Sequence, residues 1–289
     1  MSIFKNPEYN TLISVLIIGI FVGVGYLVII NAGNPDSINQ GSVFQGTKKN
    51  NSSAKIGYGD TNIEKLFVYG GTNNEMSDDP INTTYTTGNG TSWTLSVEDG
   101  VNPWTGRQSH EIQMINDTIY LFGGLAGTNP AADMKNDVWS SSNGIDWSLV
   151  TNSAPWTPRY QAGSTVFGAS DYPSIYIIGG VGPSKQGCGL DDIWRTVDGV
   201  NWTLLNNNLP FGERCMFGFT DFSGKLWMVG GYGSDGTNHN DVWSSPDGIT
   251  WTNVILDGEA PFEAVRGNEL MQFGSQMFMV GGLDGEVWS

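Results

Sequence analysis

From Leu12 to Ile30 the chain is apolar apart from Ser14, Tyr26 and its glycines, and no charge falls between Glu8 and Asp36. This run of 19 residues is close to the ~20 that a helix needs to cross the hydrocarbon core. It is longer than the roughly 7–15 apolar residues of a secretory leader. The pattern therefore predicts a transmembrane helix over 11–31, after a short tail at 1–10 and before a linker at 32–36. A leader cleaved near Asn31-Ala32-Gly33, which would leave a secreted protein, is the competing expectation. Gly19 and Gly23 would give such a helix a small-residue face on which two copies could meet.

Beyond residue 60 the pattern changes to short alternating runs of the kind that form strands. Five of them close on a glycine pair: Leu66-Phe67-Val68-Tyr69-Gly70-Gly71, Tyr120-Leu121-Phe122-Gly123-Gly124, Tyr176-Ile177-Ile178-Gly179-Gly180, Trp227-Met228-Val229-Gly230-Gly231 and Phe278-Met279-Val280-Gly281-Gly282. The second glycines are 53, 56, 51 and 51 residues apart (124 − 71, 180 − 124, 231 − 180, 282 − 231). A period near 50 is the mark of a repeat architecture. Other columns keep the beat. Arg107, Arg159, Arg214 and Arg266 precede their glycine pairs, with Lys55 in that place for the first. Asn136-Asp137-Val138-Trp139, Asp191-Asp192-Ile193-Trp194, Asn240-Asp241-Val242-Trp243 and Gly285-Glu286-Val287-Trp288 follow them. Trp147, Trp202 and Trp251 come eight residues after the first three of those tryptophans, each in an Asn/Asp-Gly-x-x-Trp setting. A two-residue turn of the Asn-Gly or Asp-Gly kind, whose glycine accepts positive φ, is expected to join antiparallel strands there.

Each unit thus predicts four short strands. One such unit cannot bury both of its faces, and radial stacking around an axis solves this. The arginine, the Gly-Gly after a hydrophobic strand and the spaced aromatics resemble kelch repeats, the blade type also found in the galactose-oxidase central domain, over about residues 37–289. The resemblance implies an all-β, five-bladed kelch-type β-propeller, preceded by the one transmembrane α-helix. Its blades would lie near 55–106, 107–158, 159–213, 214–265 and 266–289. The fifth unit stops after Trp288, before its fourth strand. Ser37–Phe44 can be laid on Ser140–Trp147 with the Gly-x-x-aromatic spacing kept, so residues 37–46 are expected to supply the missing strand and close the ring by a clasp, within a 37–54 clasp-and-link segment.

Composition sharpens the chemistry. A net charge of −16 offers no basic field for a phosphate backbone, which argues against nucleic acid as a partner. His110 and His239 are the only histidines, so a multi-histidine metal centre cannot be built. The copper chemistry that goes with galactose oxidase is likewise unsupported. No catalytic residues, metal or cofactor are assigned. Asp133, Asp137, Asp191, Asp192, Asp235 and Asp241 could reach calcium through oxygen ligands, but the pairs before Val-Trp read more simply as turn caps. The recurring arginines read as partners for backbone carbonyls, with Gly71, Gly124, Gly180, Gly231 and Gly282 as structural repeat positions. Cys188 and Cys215 fall on one face of the expected disc, so either a disulfide between neighbouring blades or two free thiols fits.

The same face gathers the long loops and the links with Pro103-Trp104, Pro155-Trp156, Pro210-Phe211 and Pro261-Phe262. Trp104, Trp156, Phe211 and Phe262, with Tyr232 after Gly231, are the candidate binding residues, because exposed aromatics stack on sugars and partner proteins. Their repetition fits packing between blades equally well. Asn-x-Ser/Thr sequons stand at Asn50, Asn51, Asn82, Asn89, Asn116 and Asn201. The expected function is a membrane-anchored binding or adhesion module outside the cytoplasm, recognising a protein or glycan. The alternatives are a carbohydrate-active hydrolase or sugar epimerase with a pocket at the ring mouth, and a structural subunit of a surface assembly.

Overall fold

The computed structural model describes strands at 13–20, 25–32, 45–48 and 52–55, and residues 66–72, 80–88, 92–168, 172–183, 188–273, 275–282 and 286–289. The protein is all-β, with its strands in a five-bladed propeller-like arrangement. Blade 2 shows the plan. Glu111–Ile115, Thr118–Phe122, Val138–Ser141 and Ser148–Thr151 run as an antiparallel meander from the axis outward. Blade 3 repeats it with Gly163–Phe167, Ser174–Ile178, Ile193–Thr196 and Trp202–Asn206. In blade 4 the innermost strand is split into Arg214–Cys215 and Gly218–Phe222, followed by Lys225–Gly233, Asn238–Ser245 and Thr252–Ile255.

The terminal blades have three strands each in their described sheets: Leu66–Thr72, Pro80–Thr87 and Thr94–Val97 in blade 1, and Asn268–Phe273, Gln276–Gly281 and Glu286–Trp288 in blade 5. Ser52–Lys55 packs beside Leu66–Thr72 and Glu111–Ile115, where the inner strand of blade 1 is expected. Its hydrogen-bonded partner is Gln45–Lys48, with Gln45 opposite Lys55 and Gly46 opposite Ala54. Residues 37–44, most of the expected clasp, lie outside the described residues.

The apolar N-terminal run departs from expectation. Ile13–Ile20 pairs antiparallel with Gly25–Ala32, from Ile13 opposite Ala32 to Ile20 opposite Gly25. Ten of the 18 residues from Ile13 to Ile30 are Ile or Val, which lose χ1 freedom in a helix and pack well on a pleated surface. Among the described residues no helix is long and apolar enough to cross a membrane; Pro130–Asp133 is a single short turn of helix. Gly19 sits opposite Tyr26 in this hairpin, so the expected helical face with Gly23, itself outside the described residues, is not formed.

The core lies between blades. Tyr69, Trp104, Ile112, Leu121 and Trp147 fill the gap between blades 1 and 2. Phe122, Trp156, Ile175, Ile177 and Trp202 fill the next. Tyr176, Phe211, Phe217, Phe219 and Met228 fill the third, and Val229, Val265, Leu270 and Met279 the fourth. The turn before each second tryptophan is longer than the two-residue hairpin expected. Thr196 Oγ1 accepts from the N–H groups of Asp198 and Gly199, and Asp198 Oδ1 accepts from those of Val200 and Asn201. Ser141 with Asn143 and Ser245 with Asp247 repeat this capping. Gly199, at φ +70, lies against the Tyr120 ring of the preceding blade, so a side chain there would collide with it.

Candidate functional site

Each of the three middle blades is fastened by a buried charge clamp. Arg107 donates through Nη1 to the Gly123 carbonyl (2.9 Å) and Asp137 Oδ1 (2.6 Å), and through Nη2 to Asp137 Oδ2 (2.8 Å). Arg159 does the same to Gly179 (3.0 Å) and to Asp192 (2.7 and 2.8 Å). Arg214 repeats it with Gly230 (3.1 Å) and Asp241 (2.9 and 3.4 Å). The indoles of Trp139, Trp194 and Trp243 donate to the second oxygen of the same aspartates. These three arginines therefore satisfy the carbonyls of Gly123, Gly179 and Gly230, while the aspartates, read as turn caps or calcium ligands, are their counter-ions. Burial pushes the Asp137 and Asp192 carboxyls up, but the hydrogen bonds and charge of Arg107 and Arg159 outweigh it and hold both below the usual carboxylate range.

The backbone of these arginines links neighbouring blades. The Gly71, Gly124 and Gly180 N–H groups donate to the carbonyls of Arg107, Arg159 and Arg214, and Gly231 donates to that of Val265. Val265, not Arg266, thus occupies the clamp position in blade 5. Two residues after each clamp position stand Ser109, Gln161, Met216 and Gly267, with φ of 49°, 54°, 54° and 71°. Left-handed backbone at non-glycine residues costs on the order of 1–3 kcal/mol and persists only where the surroundings enforce it. Here a girdle enforces it: Gln161 N–H donates to Ser109 O, Met216 N–H to Gln161 O, and Gly267 N–H to Met216 O. These bonds pass from blade to blade around the axis, and define the mouth of the ring.

Beside the girdle, half-buried Tyr160, Met216 and Tyr232 pack on buried Leu125, Met134, Val181, Cys188 and Cys215. The structure joins Cys188 to Cys215 as a disulfide, with Cα atoms 5.2 Å apart. This ties the loop after the second strand of blade 3 to the start of blade 4. The Arg266 guanidinium lies 4.8 Å from the centre of the Tyr232 ring, and no carboxylate among the described residues pairs with it. A guanidinium on an aromatic face is an attractive pairing, and here it leaves one positive charge at the mouth of an acidic protein.

The link aromatics do not form this surface. Trp104 and Trp156 are fully buried and Phe211 nearly so. Trp156 meets Phe122 and Trp202 edge-on, and half-buried Phe262 faces Trp288. They are wedges between blades, held by the repeated asparagine: Asn82 Nδ2 donates to the Asn102 and Trp104 carbonyls, Asn136 Nδ2 to those of Ala154 and Trp156, and Asn240 Nδ2 to that of Phe262. A large apolar ring is worth more in a sealed gap between blades than at a wet rim. Of the five candidate binding residues, only Tyr232 lies at the mouth. His110 is buried beside Trp104 with neither ring nitrogen hydrogen-bonded. Burial and the neighbouring Arg107 push its pKa down to about 3. Sequence reasoning missed Tyr160, Met216 and the girdle. A partial signal was the interval of 16 residues from Arg107 to Gly123 and from Arg214 to Gly230, which also picks Val265 before Gly281, although Arg159 to Gly179 spans 20.

Among the sequons, Asn82 is buried and wholly engaged, whereas Asn116 is exposed. No protein-family model matches the chain, and no curated protein matches it in sequence.

Proposed function

We propose that this protein is a kelch-type propeller attached to a membrane, displayed outside the cytoplasm, and that it binds a protein or glycan through the mouth of the ring. The observation that carries the reading is the rigid girdle with Tyr160, Met216, Tyr232 and Arg266 gathered at its edge. An aromatic face with an adjoining guanidinium suits a sugar ring or side chain that bears a carboxylate. The Cys188–Cys215 bridge supports an oxidising compartment. The charge-free stretch between Glu8 and Asp36 supports membrane attachment. The Gly-Gly, arginine and tryptophan columns support the kelch assignment, and residues 37–44 are proposed to complete blade 5 beside Glu286–Trp288.

The test is a screen of the full chain, in detergent, on glycan and surface-protein arrays, repeated with Tyr232→Ala and Arg266→Ala. A ligand whose binding falls at least tenfold in both variants, and is untouched by Leu149→Ala on the outer edge, supports the reading. Binding indifferent to both mouth variants, or turnover of a glycan without stable binding, refutes it.

A further inference from the structure

Three of the Asn-x-Thr sequons fall on described residues, and the fold treats them differently. An N-glycan needs an asparagine amide that reaches solvent, on a segment that a transferase can grip. Asn82 offers neither. Its Nδ2 donates to the Asn102 and Trp104 carbonyls and its Oδ1 accepts from the Gly100 N–H, so a sugar on that nitrogen would cut the bonds that seat the Trp104 wedge. Thr84, the hydroxyl residue of this sequon, is fully buried. At Asn201 the amide is exposed but committed: Nδ2 donates to Asp198 Oδ2 at 2.8 Å, and the backbone N–H to Asp198 Oδ1 at 2.7 Å. The middle residue of that sequon is Trp202, packed on Phe122 and Trp156 and fastened through its indole to the Gly199 carbonyl. A transferase cannot lift this segment without pulling a tryptophan from between two blades.

Asn116 differs on each count. Ile115 pairs with Thr118 at the end of the hairpin from Glu111–Ile115 to Thr118–Phe122, so Asn116 and Asp117 are the two central residues of a tight turn, with φ of 48° and 56°. Asparagine and aspartate tolerate this left-handed backbone better than other side chains. Both residues are exposed, and the Asn116 amide makes no hydrogen bond among the described residues. On the same turn, Thr118 Oγ1 donates to the Asn116 carbonyl at 3.4 Å. Acceptor amide and hydroxyl therefore lie together at the surface, with no buried residue between them. The hairpin has Glu111 and Phe122 at the mouth, beside Gly123, and Ile115 and Thr118 at its far end. A glycan on Asn116 would stand on the face of the disc away from the girdle and leave the mouth open.

We propose that Asn116 is an N-glycan acceptor site on the folded ring, served by an oligosaccharide carried on a lipid pyrophosphate, and that Asn82 and Asn201 stay bare. In the transfer, Asn116 Nδ2 forms a bond to the anomeric carbon and gives up one proton. The bond from that carbon to the pyrophosphate oxygen breaks, and the lipid pyrophosphate leaves with the electron pair. A glycan placed on Asn82 before folding would prevent blade 1 from seating, so transfer follows folding. The use of the site rests on the display of the ring outside the cytoplasm.

The experiment incubates the full chain, in detergent, with a lipid-linked oligosaccharide and a single-subunit transferase that accepts Asn-x-Thr, and reads each asparagine by peptide mass mapping. A sample unfolded, reduced and alkylated beforehand is run beside it. In the folded chain, occupancy at Asn116 should exceed that at Asn82 and Asn201 at least tenfold, and unfolding should remove the preference. Asn116→Gln and Thr118→Val should each abolish modification of this peptide, with the melting curve unchanged. A folded chain bare at Asn116, or one modified at Asn82 or Asn201 in preference to it, overturns the proposal. Donor and enzyme are supplied, so this result does not depend on where the protein is displayed. Display is read separately, by protection of the chain from added protease in sealed membrane vesicles. An unprotected chain refutes the display and with it the use of the site, whereas a protected chain that stays bare at Asn116 in the transfer assay refutes the site alone.

Discussion

Replacing Asp192 with Asn removes one charge and little volume from the clamp of blade 3. The Arg159 side chain opposite is fully buried, and Asp192 is 14% exposed, so the guanidinium loses its counter-ion where water cannot replace it. Breaking a buried pair from one side costs about 3–5 kcal/mol. The asparagine oxygen still accepts one hydrogen bond, which places the expectation near the lower end, at about 3 kcal/mol. Arg159→Met alone leaves the Gly179 carbonyl and Asp192 without their strongest donor, and should cost a similar amount. The double variant carries no buried charge. It should cost markedly less than the sum, with a coupling of about 2–3 kcal/mol. Urea unfolding followed by tryptophan fluorescence reads this directly: at a slope of about 2–3 kcal/mol per molar, a loss of 3 kcal/mol moves the midpoint down by about 1–1.5 M. A loss below about 1 kcal/mol in Asp192→Asn, or strict additivity in the double variant, would refute the assignment of the clamp as the fastening of the blade.

Other consequences follow from the same geometry. Asp137 and Asp192 have lowered folded pKa values, so their stabilisation is complete above the unfolded value of about 4 and is lost as pH falls through the folded values; acid titration of stability should show this loss, and Asp137→Asn should reduce it. His110, held neutral with a folded pKa of about 3 against about 6.5 unfolded, contributes stability above pH 6.5 that declines by roughly 1.4 kcal/mol per pH unit down to about 3; His110→Gln should remove that slope between pH 6.5 and 4. The Cys188–Cys215 bridge closes a loop of 27 residues, for which chain entropy gives about 3–4 kcal/mol; Cys215→Ser should lose that much in urea, and a non-reducing peptide map should recover the linked peptides from the unmodified chain. Trp156→Ala, which empties a sealed gap, should cost about 3–5 kcal/mol, whereas Phe262→Ala at half-buried Phe262 should cost less, both read by the same unfolding curves.

The ring was legible because its signals are periodic. Gly-Gly closes the second strand of every blade, with both glycines at positive φ, a conformation few other residues accept. The clamp arginines were legible as structural, but their aspartate partners lie 27–33 residues away, and nothing local in Asn136-Asp137-Val138-Trp139 distinguishes a counter-ion from a turn cap. Arg266 looked like a fourth clamp because side-chain identity drew the alignment one place too far; the backbone interval favours Val265, which packs as an apolar residue where the charge is absent. Trp104, Trp156 and Phe211 are buried because aromatic wedges and aromatic rims have the same residue types at the same spacing, and only three-dimensional neighbours separate them. The run from Leu12 to Ile30 reads as a helix by length and hydropathy, whereas its Ile and Val content suits strands, and the described residues Ile13–Ile20 and Gly25–Ala32 pair as antiparallel strands. The mouth was least legible, since its strain belongs to Ser109, Gln161 and Met216, residue types that carry no mark of left-handed backbone.

The most direct test of the account is a crystal structure of the full chain at a resolution that orients side chains. The account predicts Arg107, Arg159 and Arg214 buried on Asp137, Asp192 and Asp241 and on the first glycine carbonyl of each pair, Val265 in the fourth such place, and Arg266 on Tyr232 at the mouth. Arginines turned to solvent or into the central channel, or a girdle broken between Ser109, Gln161, Met216 and Gly267, would contradict it.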